Sequence, residues 1–157
     1  MPKKIKLPNG KYTVVDDEDY ERIKNCNWRL QPEGHVACHK TYYLHREILQ
    51  VTDDRIVDHK NGDRLDNRKE NLRIATPTQN CVNKGKGKRN KHSILYKGIK
   101  YRLGLKKPWI ARIGYEGKTK HIGYFATEKE AAMNYDIWAK KLYGEFARLN
   151  FLYDATK

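Results

Sequence analysis

Residues 57–80 read VDHKNGDRLDNRKENLRIATPTQN, and this stretch decides the fold of the chain around it. Residues 55–57, with β-branched Ile56 and Val57, predict a short strand that ends at Asp58-His59. The signal Asn61-Gly62-Asp63 then predicts a turn that opens a long loop. Residues 71–75 predict a second strand, which would return beside the first.

Thr76-Pro77 predicts the start of a helix, with Thr as the N-cap and Pro at the first helical position. Asn80 then falls within the first helical turns. A strand, a long loop, a strand and a helix would bring four polar side chains within reach of one another. These are Asp58, His59, Asn71 and Asn80.

This group of side chains is suited to phosphodiester hydrolysis, which needs a base for water and a cation for the phosphoryl oxygens. His59 can be the base, because an imidazole is largely neutral near physiological pH. Asp58 and Asn80 offer the hard oxygen ligands that magnesium and manganese prefer. Asn71 can accept a hydrogen bond from His59 and fix its tautomer. Asn67 is a rival for this role, but Asn71 is favoured because it starts the returning strand opposite Asp58-His59.

Residues 57–80 also resemble the HNH (His-Me finger) motif of phage homing endonucleases. The resemblance rests on the Asp-His pair, on LDNRKENLR and on the terminal Asn, and residues 43–46 (YLHR) resemble the lead-in found in such proteins. It implies a ββα-metal fold with Asp58 and Asn80 as ligands of one divalent cation, Mg²⁺ or alternatively Mn²⁺. It also implies His59 as general base and Asn71 as the residue that orients it. The plain alternative is an ordinary polar turn, because Asn, Asp and Gly cluster in turns for local reasons. His45-Arg46 could contact a phosphate or have a structural role.

The charge of the chain indicates a polyanionic partner. Its 157 residues carry a net charge of +14, and the first 57 residues are nearly neutral, with ten basic and nine acidic side chains. The excess therefore lies in the remainder and favours nucleic acid, with double-stranded DNA as the expected partner and RNA as a weaker option. We expect no membrane partner, because no stretch approaches the roughly 20 apolar residues of a spanning helix. The basic start lacks an apolar signal-peptide core, which predicts a cytosolic protein.

Three cysteines without a Cys-x-x-Cys pair argue against a disulfide framework and against a zinc ribbon. Cys26, His35, Cys38 and His39 come nearest to a zinc cluster, but their spacing fits no common pattern. Short strand signals at 11–15, 28–30, 36–38 and 41–44, with a helix signal from Asp16 to Lys24, predict a small sheet that precedes the site.

Residues 84–95 (KGKGKRNKHSIL) change abruptly to Lys, Arg, Gly and Asn, which predicts a flexible basic linker. We expect Lys86, Lys88 and Arg89 to contact the phosphate backbone, although a merely solvated tether would have the same composition. Such contacts add affinity but little sequence information.

Strand signals at 96–102, 109–115 and 118–124 precede a helix signal at 128–143. A capping box at 127–130 marks the start of the helix, and Gly144 can end it. Period-two alternation points one set of side chains toward the helix, namely Ile99, Tyr101, Trp109, Ala111, Ile113, Ile122 and Tyr124. The other face would present Lys100, Arg102, Arg112 and His121, which suits entry into a major groove.

Residues 96–151 resemble the AP2 (ERF-type) DNA-binding domain through YKGIKYR, WIARIG, HIGYF, EKEAAMNYDIWAKKLYG and ARLNF. The resemblance implies DNA contacts by Lys97, Lys100, Arg102 and Arg112. His121 stands where plant members usually carry Trp, and Lys replaces Arg at the first two of these positions. The target sequence of plant members therefore does not transfer.

Together these patterns predict an α+β chain of two parts. A small N-terminal sheet leads into a ββα-metal nuclease domain at 1–83 (core about 55–83), a basic linker follows at 84–95, and a three-stranded antiparallel sheet packed on one helix forms an AP2-like domain at 96–157. The expected function is a homing-type or nicking DNA endonuclease that leaves 5′-phosphate and 3′-hydroxyl ends. The alternative is a non-cleaving DNA-binding regulator. One nuclease site per chain favours nicking by a monomer, and double-strand cleavage would then need a dimer on DNA.

Overall fold

A β-hairpin opens the structure, a computed structural model that describes residues 1–84 and 95–151. Strands β1 (Lys3–Lys6) and β2 (Tyr12–Val15) pair antiparallel, with Ile5 opposite Thr13. Helix α1 (Asp17–Ile23) follows, and its first turn is acidic, which complements the positive end of the helix dipole. The sequence predicts β2 and α1, but β1 has a single apolar residue among three lysines and gives no strand signal.

Strands β3 (Arg29–Leu30) and β4 (Val36–Ala37) form a second two-stranded antiparallel sheet. The strand predicted at 41–44 is wrong, because Tyr43 makes only an isolated bridge to Ala37 and helix α2 (Leu44–Ile48) begins at the next residue. Leu44 and Ile48 lie one helical turn apart and are both buried. The N-terminal third therefore contains two separate hairpins instead of one small sheet.

The strand–loop–strand–helix unit predicted from residues 57–80 is present. Strands β5 (Ile56–His59) and β6 (Leu72–Ala75) pair antiparallel, with a 3₁₀ turn at Lys69–Asn71 just before β6. Helix α3 (Pro77–Asn83) begins where the sequence predicts it. Its start is fixed by two reciprocal bonds, from Gln79 N to Thr76 Oγ1 (3.3 Å) and from Thr76 N to Gln79 Oε1 (2.8 Å).

One hydrophobic core holds the elements of residues 1–80 together. Side chains from the first hairpin, from both short helices and from the β5–β6 pair meet in it, and its buried members include Leu7, Val15, Ile23, Trp28, Val36, Leu44, Ile48, Val57 and Leu72. Because Val57 precedes Asp58 on β5, this core fixes the strand that carries the predicted site.

The chain divides into two units, Met1–Asn80 and Cys81–Lys157, and the second contains the three-stranded sheet. Strands β7 (Ile99–Tyr101), β8 (Trp109–Tyr115) and β9 (Lys118–Phe125) pair antiparallel in that order. Helix α4 (Glu128–Tyr143) follows, with a 3₁₀ turn at Gly144–Phe146. The predicted α+β class and the sheet packed on one helix are therefore confirmed.

The start of α4 matches the predicted capping box. Glu130 N donates to Thr127 Oγ1 (3.1 Å), and Ala126 N donates to Glu130 Oε2 (3.3 Å). Buried Tyr135 packs on the sheet beside Gly98, whose φ is +77°. A Cβ at position 98 would lie 2.1 Å from the Tyr135 ring, so this close approach requires glycine.

The predicted alternation fails at one tyrosine. Tyr124 was expected to face the helix, but it is 47% exposed and lies across from Ile110, on the other face. A bulge in the β8–β9 pairing, at the step from Ala111 to Arg112, leaves one extra residue on β9. Beyond a bulge the two faces of a strand exchange, which turns Tyr124 outward. Tyr101 is 42% exposed but stays on the predicted face, because it lies across from Trp109 with their ring centroids 4.9 Å apart.

Within the described ranges, no helix is long and apolar enough to span a bilayer. The predicted linker falls almost entirely outside those ranges. Lys86, Lys88 and Arg89 lie between residues 84 and 95, outside the described residues.

Candidate functional site

Asp58 and His59 are the last two residues of β5, and they are only 6% and 4% exposed. The antiparallel register places Arg73 of β6 directly across from Asp58. Arg73 Nε and Nη2 donate to Asp58 Oδ2 at 3.0 Å and 2.9 Å. This buried, charge-assisted contact fixes the orientation of the carboxylate.

The ring of His59 contacts Asn67, which lies in the long loop between β5 and β6. His59 Nε2 is 3.1 Å from Asn67 Oδ1. The amide nitrogen of Asn67 donates to Thr13 Oγ1 (2.9 Å) and to Arg64 O (3.2 Å). Asn67, the weaker candidate on sequence grounds, therefore occupies the place that the sequence analysis assigned to Asn71.

The side chain of Asn71 contacts the loop that follows His59, and its role in orienting the ring stays a prediction. Its Oδ1 accepts from Asn61 N (3.0 Å), and its Nδ2 donates to Asp66 O (2.7 Å). The physical reason is that backbone groups in a buried loop need partners, and Asn71 supplies both an acceptor and a donor. Asn71 thus closes the loop that follows His59.

Asp66 strengthens the same loop. It accepts from Asn61 Nδ2 (3.0 Å) and from Arg68 Nε and Nη2 (both 2.8 Å). The Arg68 guanidinium keeps the pKa of the Asp66 carboxyl below its usual value. The loop that carries Asn67 is thereby held in one conformation by its own polar residues.

The imidazoles of His35 and His45 pack against His59 and form a histidine cluster with it. No sequence pattern predicted this cluster. The ring centroids are 4.8 Å apart for His35–His45, 5.4 Å for His45–His59 and 5.8 Å for His35–His59. Burial lowers the pKa of all three rings, to about 4 for His35 and to about 3 for His45. For His35 the positive charge of Arg64 acts in the same direction, whereas for His59 the Asn67 contact opposes the burial effect.

The cluster is therefore neutral near physiological pH, and a neutral His59 is able to accept a proton. His45 is buried beside it, which answers the open question about its role. Arg46 also has a structural role, because its guanidinium donates to the main-chain carbonyls of Val51, Asp53 and Arg55.

Asn80 lies in the first turns of α3, immediately after β6, and its side chain is half-buried. Together Asp58 and Asn80 supply one carboxylate and one amide oxygen, a donor set that fits a hard divalent cation. A cation bound at Asp58 would share the carboxylate with Arg73. In the described part of the chain, no group of three or more His, Cys, Asp or Glu is placed to hold a metal ion.

The second unit presents basic side chains on the face of its sheet that points away from α4. Lys100 and Arg112 are exposed, Arg112 between buried Ala111 and Ile113, and Arg112 lies across from exposed His121. Arg102 follows directly after β7 and is also exposed. Because of the bulge, Tyr124 joins them, with its ring centroid 4.7 Å from that of His121. Four of the predicted DNA contacts are therefore exposed, and Tyr124 is an exposed aromatic residue that strict alternation misses.

Lys97 does not share this exposed position. Its ammonium group donates to the main-chain carbonyls of Val82 and Lys84 at the end of α3, and burial lowers its pKa. The last carbonyls of a helix lack donors within the helix and attract a cation, which explains the contact. Lys97 therefore has main-chain partners at the end of α3, and the DNA contact expected of it stays a prediction.

Comparisons with known proteins find relatives for residues 51–82 and for the C-terminal part of the chain. A family model of HNH endonucleases matches residues 51–82. An uncharacterized HNH endonuclease of Acanthamoeba polyphaga mimivirus is 29% identical over 149 residues, which cover 90% of this chain and 75% of that protein.

Two plant proteins are similar to the C-terminal part. Dehydration-responsive element-binding protein 2D of Arabidopsis thaliana is 38% identical over 86 residues, which is 54% of this chain and 40% of the plant protein. Protein 2A of the same plant is 40% identical over 70 residues, 43% of this chain and 20% of the plant protein. No solved structure matches the chain significantly.

Proposed function

We propose that this chain, which joins an HNH endonuclease segment to an AP2-like domain, is a metal-dependent DNA endonuclease that cuts at selected sites. The observation that carries the proposal is the state of His59. Its ring is buried, its pKa is lowered, and it follows Asp58 directly on one strand of the matched segment. A protein that only bound DNA would gain nothing from a neutral base beside a fixed carboxylate.

His59 acts as the general base in this proposal. Its neutral ring takes a proton from a water molecule while the water oxygen attacks the phosphorus. The bond from phosphorus to the 3′-oxygen breaks, and the 3′-oxygen takes a proton from solvent water, so that the products carry a 5′-phosphate and a 3′-hydroxyl. Asn67 holds the ring, and Asn71 holds the loop behind it.

Asp58 and Asn80 would hold one divalent cation, Mg²⁺ or alternatively Mn²⁺. When bound, the cation supplies positive charge against the phosphoryl oxygens. Arg73 keeps the Asp58 carboxylate in place before the cation arrives.

The AP2-like domain selects the site in this proposal. Lys100, Arg102, Arg112 and His121 form an exposed basic face, and a sheet can enter a major groove. The division into a nuclease domain (1–83), a linker (84–95) and a reader (96–157) assigns Lys86, Lys88 and Arg89 to phosphate contacts. A single chain then nicks one strand, and a double-strand break requires two chains.

The test is nicking of supercoiled plasmid in Mg²⁺ by the full chain and by His59→Ala, with and without a chelator. We expect the variant to keep its DNA affinity and to lose activity by about 10²- to 10⁴-fold, the usual contribution of a general base. His39→Ala is the matched control, because His39 is an exposed histidine in the same unit.

Cleavage by His59→Ala at the wild-type rate would refute the role of His59, and cleavage that survives chelation would refute the metal requirement. DNA binding without cleavage in the wild-type chain would instead favour the non-cleaving regulator.

A further inference from the structure

The N-terminal hairpin is joined to the loop that follows the candidate base. Val14 N donates to Leu65 O and Asn67 N donates to Val14 O, both at 2.8 Å. Thr13, on the same strand, is fully buried, and its hydroxyl donates to Leu65 O at 2.8 Å. Residues about 50 positions away in sequence therefore meet directly behind the His59 ring.

The direction of each hydrogen bond in this group is fixed by chemistry. Arg64 O is a carbonyl and can only accept, so the Asn67 atom that faces it must be the amide nitrogen. The Thr13 hydroxyl proton points to Leu65 O, so its oxygen accepts from the same nitrogen. The orientation of the Asn67 amide is thus determined by two independent acceptors.

With the amide fixed in this way, Asn67 Oδ1 faces His59 Nε2 at 3.1 Å. A carbonyl oxygen cannot donate, so Nε2 must carry the proton. In a neutral imidazole only one nitrogen is protonated, and Nδ1 then has the lone pair.

We propose that Thr13 and Asn67 are positioning residues that hold neutral His59 in the Nε2–H tautomer, so that Nδ1 is the atom that takes the proton from water. This inference rests on the proposed nuclease function. Thr13 lies outside residues 51–82, so the N-terminal hairpin belongs to the machinery that sets up the base. A rotated amide would present its nitrogen to His59, favour the Nδ1–H tautomer and leave no acceptor for the water proton.

The tautomer is measured directly in the full chain labelled with ¹⁵N-histidine. Two-bond ¹H–¹⁵N correlations distinguish the protonated ring nitrogen from the unprotonated one, at a pH where the ring is neutral. We expect His59 to show the Nε2–H pattern in the wild-type chain. A predominant Nδ1–H pattern would overturn the inference without any variant.

Thr13→Val removes the hydroxyl with little change of shape, and Thr13→Ser keeps it. We expect the valine variant to show an increased share of Nδ1–H ring and a kcat for plasmid nicking about tenfold lower, because a buried amide proton loses its partner. KM should stay the same, since no DNA contact changes, and the serine variant should restore both readings.

Wild-type kcat in Thr13→Val would overturn the inference, and so would a lowered kcat with an unchanged tautomer, which would indicate a merely structural role. An Nδ1–H ring in a chain that nicks DNA would overturn the inference alone. An Nε2–H ring in a chain that never nicks DNA would refute the proposed activity, and with it the catalytic role of this hydrogen-bond chain.

Discussion

Acidification should destabilise the first unit through its buried histidines. The folded-state pKa is about 3 for His45 and about 4 for His35, whereas an unfolded histidine titrates near 6.5. Between about pH 7 and about pH 5.5 the two rings therefore bind protons in the unfolded chain but stay unprotonated in the folded chain. The contribution of these neutral rings to the free energy of unfolding is present in full above the pKa of an unfolded histidine, about 6.5. It is lost progressively as the pH falls below that value.

The magnitude follows from the two pKa values. Over this interval each ring contributes a loss of about 1 kcal/mol, because the unfolded ring becomes mostly protonated while the folded ring stays neutral. Together, protonation of the two rings in the unfolded chain lowers the free energy of unfolding by about 2 kcal/mol. The pKa of His59 is also lowered, so this ring acts in the same direction. Carboxylates add little, because they stay ionised in both states across this interval.

The assay is urea unfolding at the two pH values, followed by the fluorescence of buried Trp28 in a chain with Trp109→Phe and Trp138→Phe. His45→Phe removes one of the three rings with a lowered pKa and should lose between about a third and about a half of the pH dependence, and exposed His39→Phe should keep all of it. Equal unfolding free energies at both pH values would refute this reasoning, as would a His45→Phe chain with the full wild-type loss.

Two further predictions concern the second unit. Arg112→Ala should weaken DNA binding and reduce the slope of log K against log salt by about 1, whereas Lys129→Ala, an exposed cation on α4, should leave both unchanged in an anisotropy titration. An unaltered salt slope in Arg112→Ala would show that this face of the sheet is not the DNA-binding surface. Gly98→Ala should lower the thermal midpoint of this unit, because the new Cβ would lie 2.1 Å from the Tyr135 ring and φ is +77°. Gly104→Ala is the control, because its φ is a similar +85° but its new Cβ would meet no described atom within 4 Å. If the two variants had equal thermal midpoints, backbone strain alone would explain the loss, and the contact with Tyr135 would play no part.

Local signals predicted the elements that carry the two candidate sites. The Thr76 and Thr127 caps marked both helix starts. These features depend on residues a few positions apart. Sequence reasoning is strong at that range because the interacting groups lie within one element or turn.

The contacts that the sequence did not predict lie where distant residues meet. Asn67 could be recognised as the partner of His59 only by knowing that Thr13, 54 positions earlier, supports its amide. Tyr124 faces outward because of a bulge, and Lys97 turns to the carbonyls at the end of α3. Periodicity describes one element at a time and contains no information about such long-range partners.

The N-terminal hairpin affects how the matched segment, residues 51–82, could be moved to another protein. A transplant of residues 51–82 alone would carry Asp58 and His59 but would leave behind the strand that pairs with the loop at Leu65 and Asn67. Such a graft would have to rebuild a buried hydroxyl and two main-chain partners on its new host. The smallest portable form of this motif would therefore begin no later than β2, well before the first residue of the matched segment.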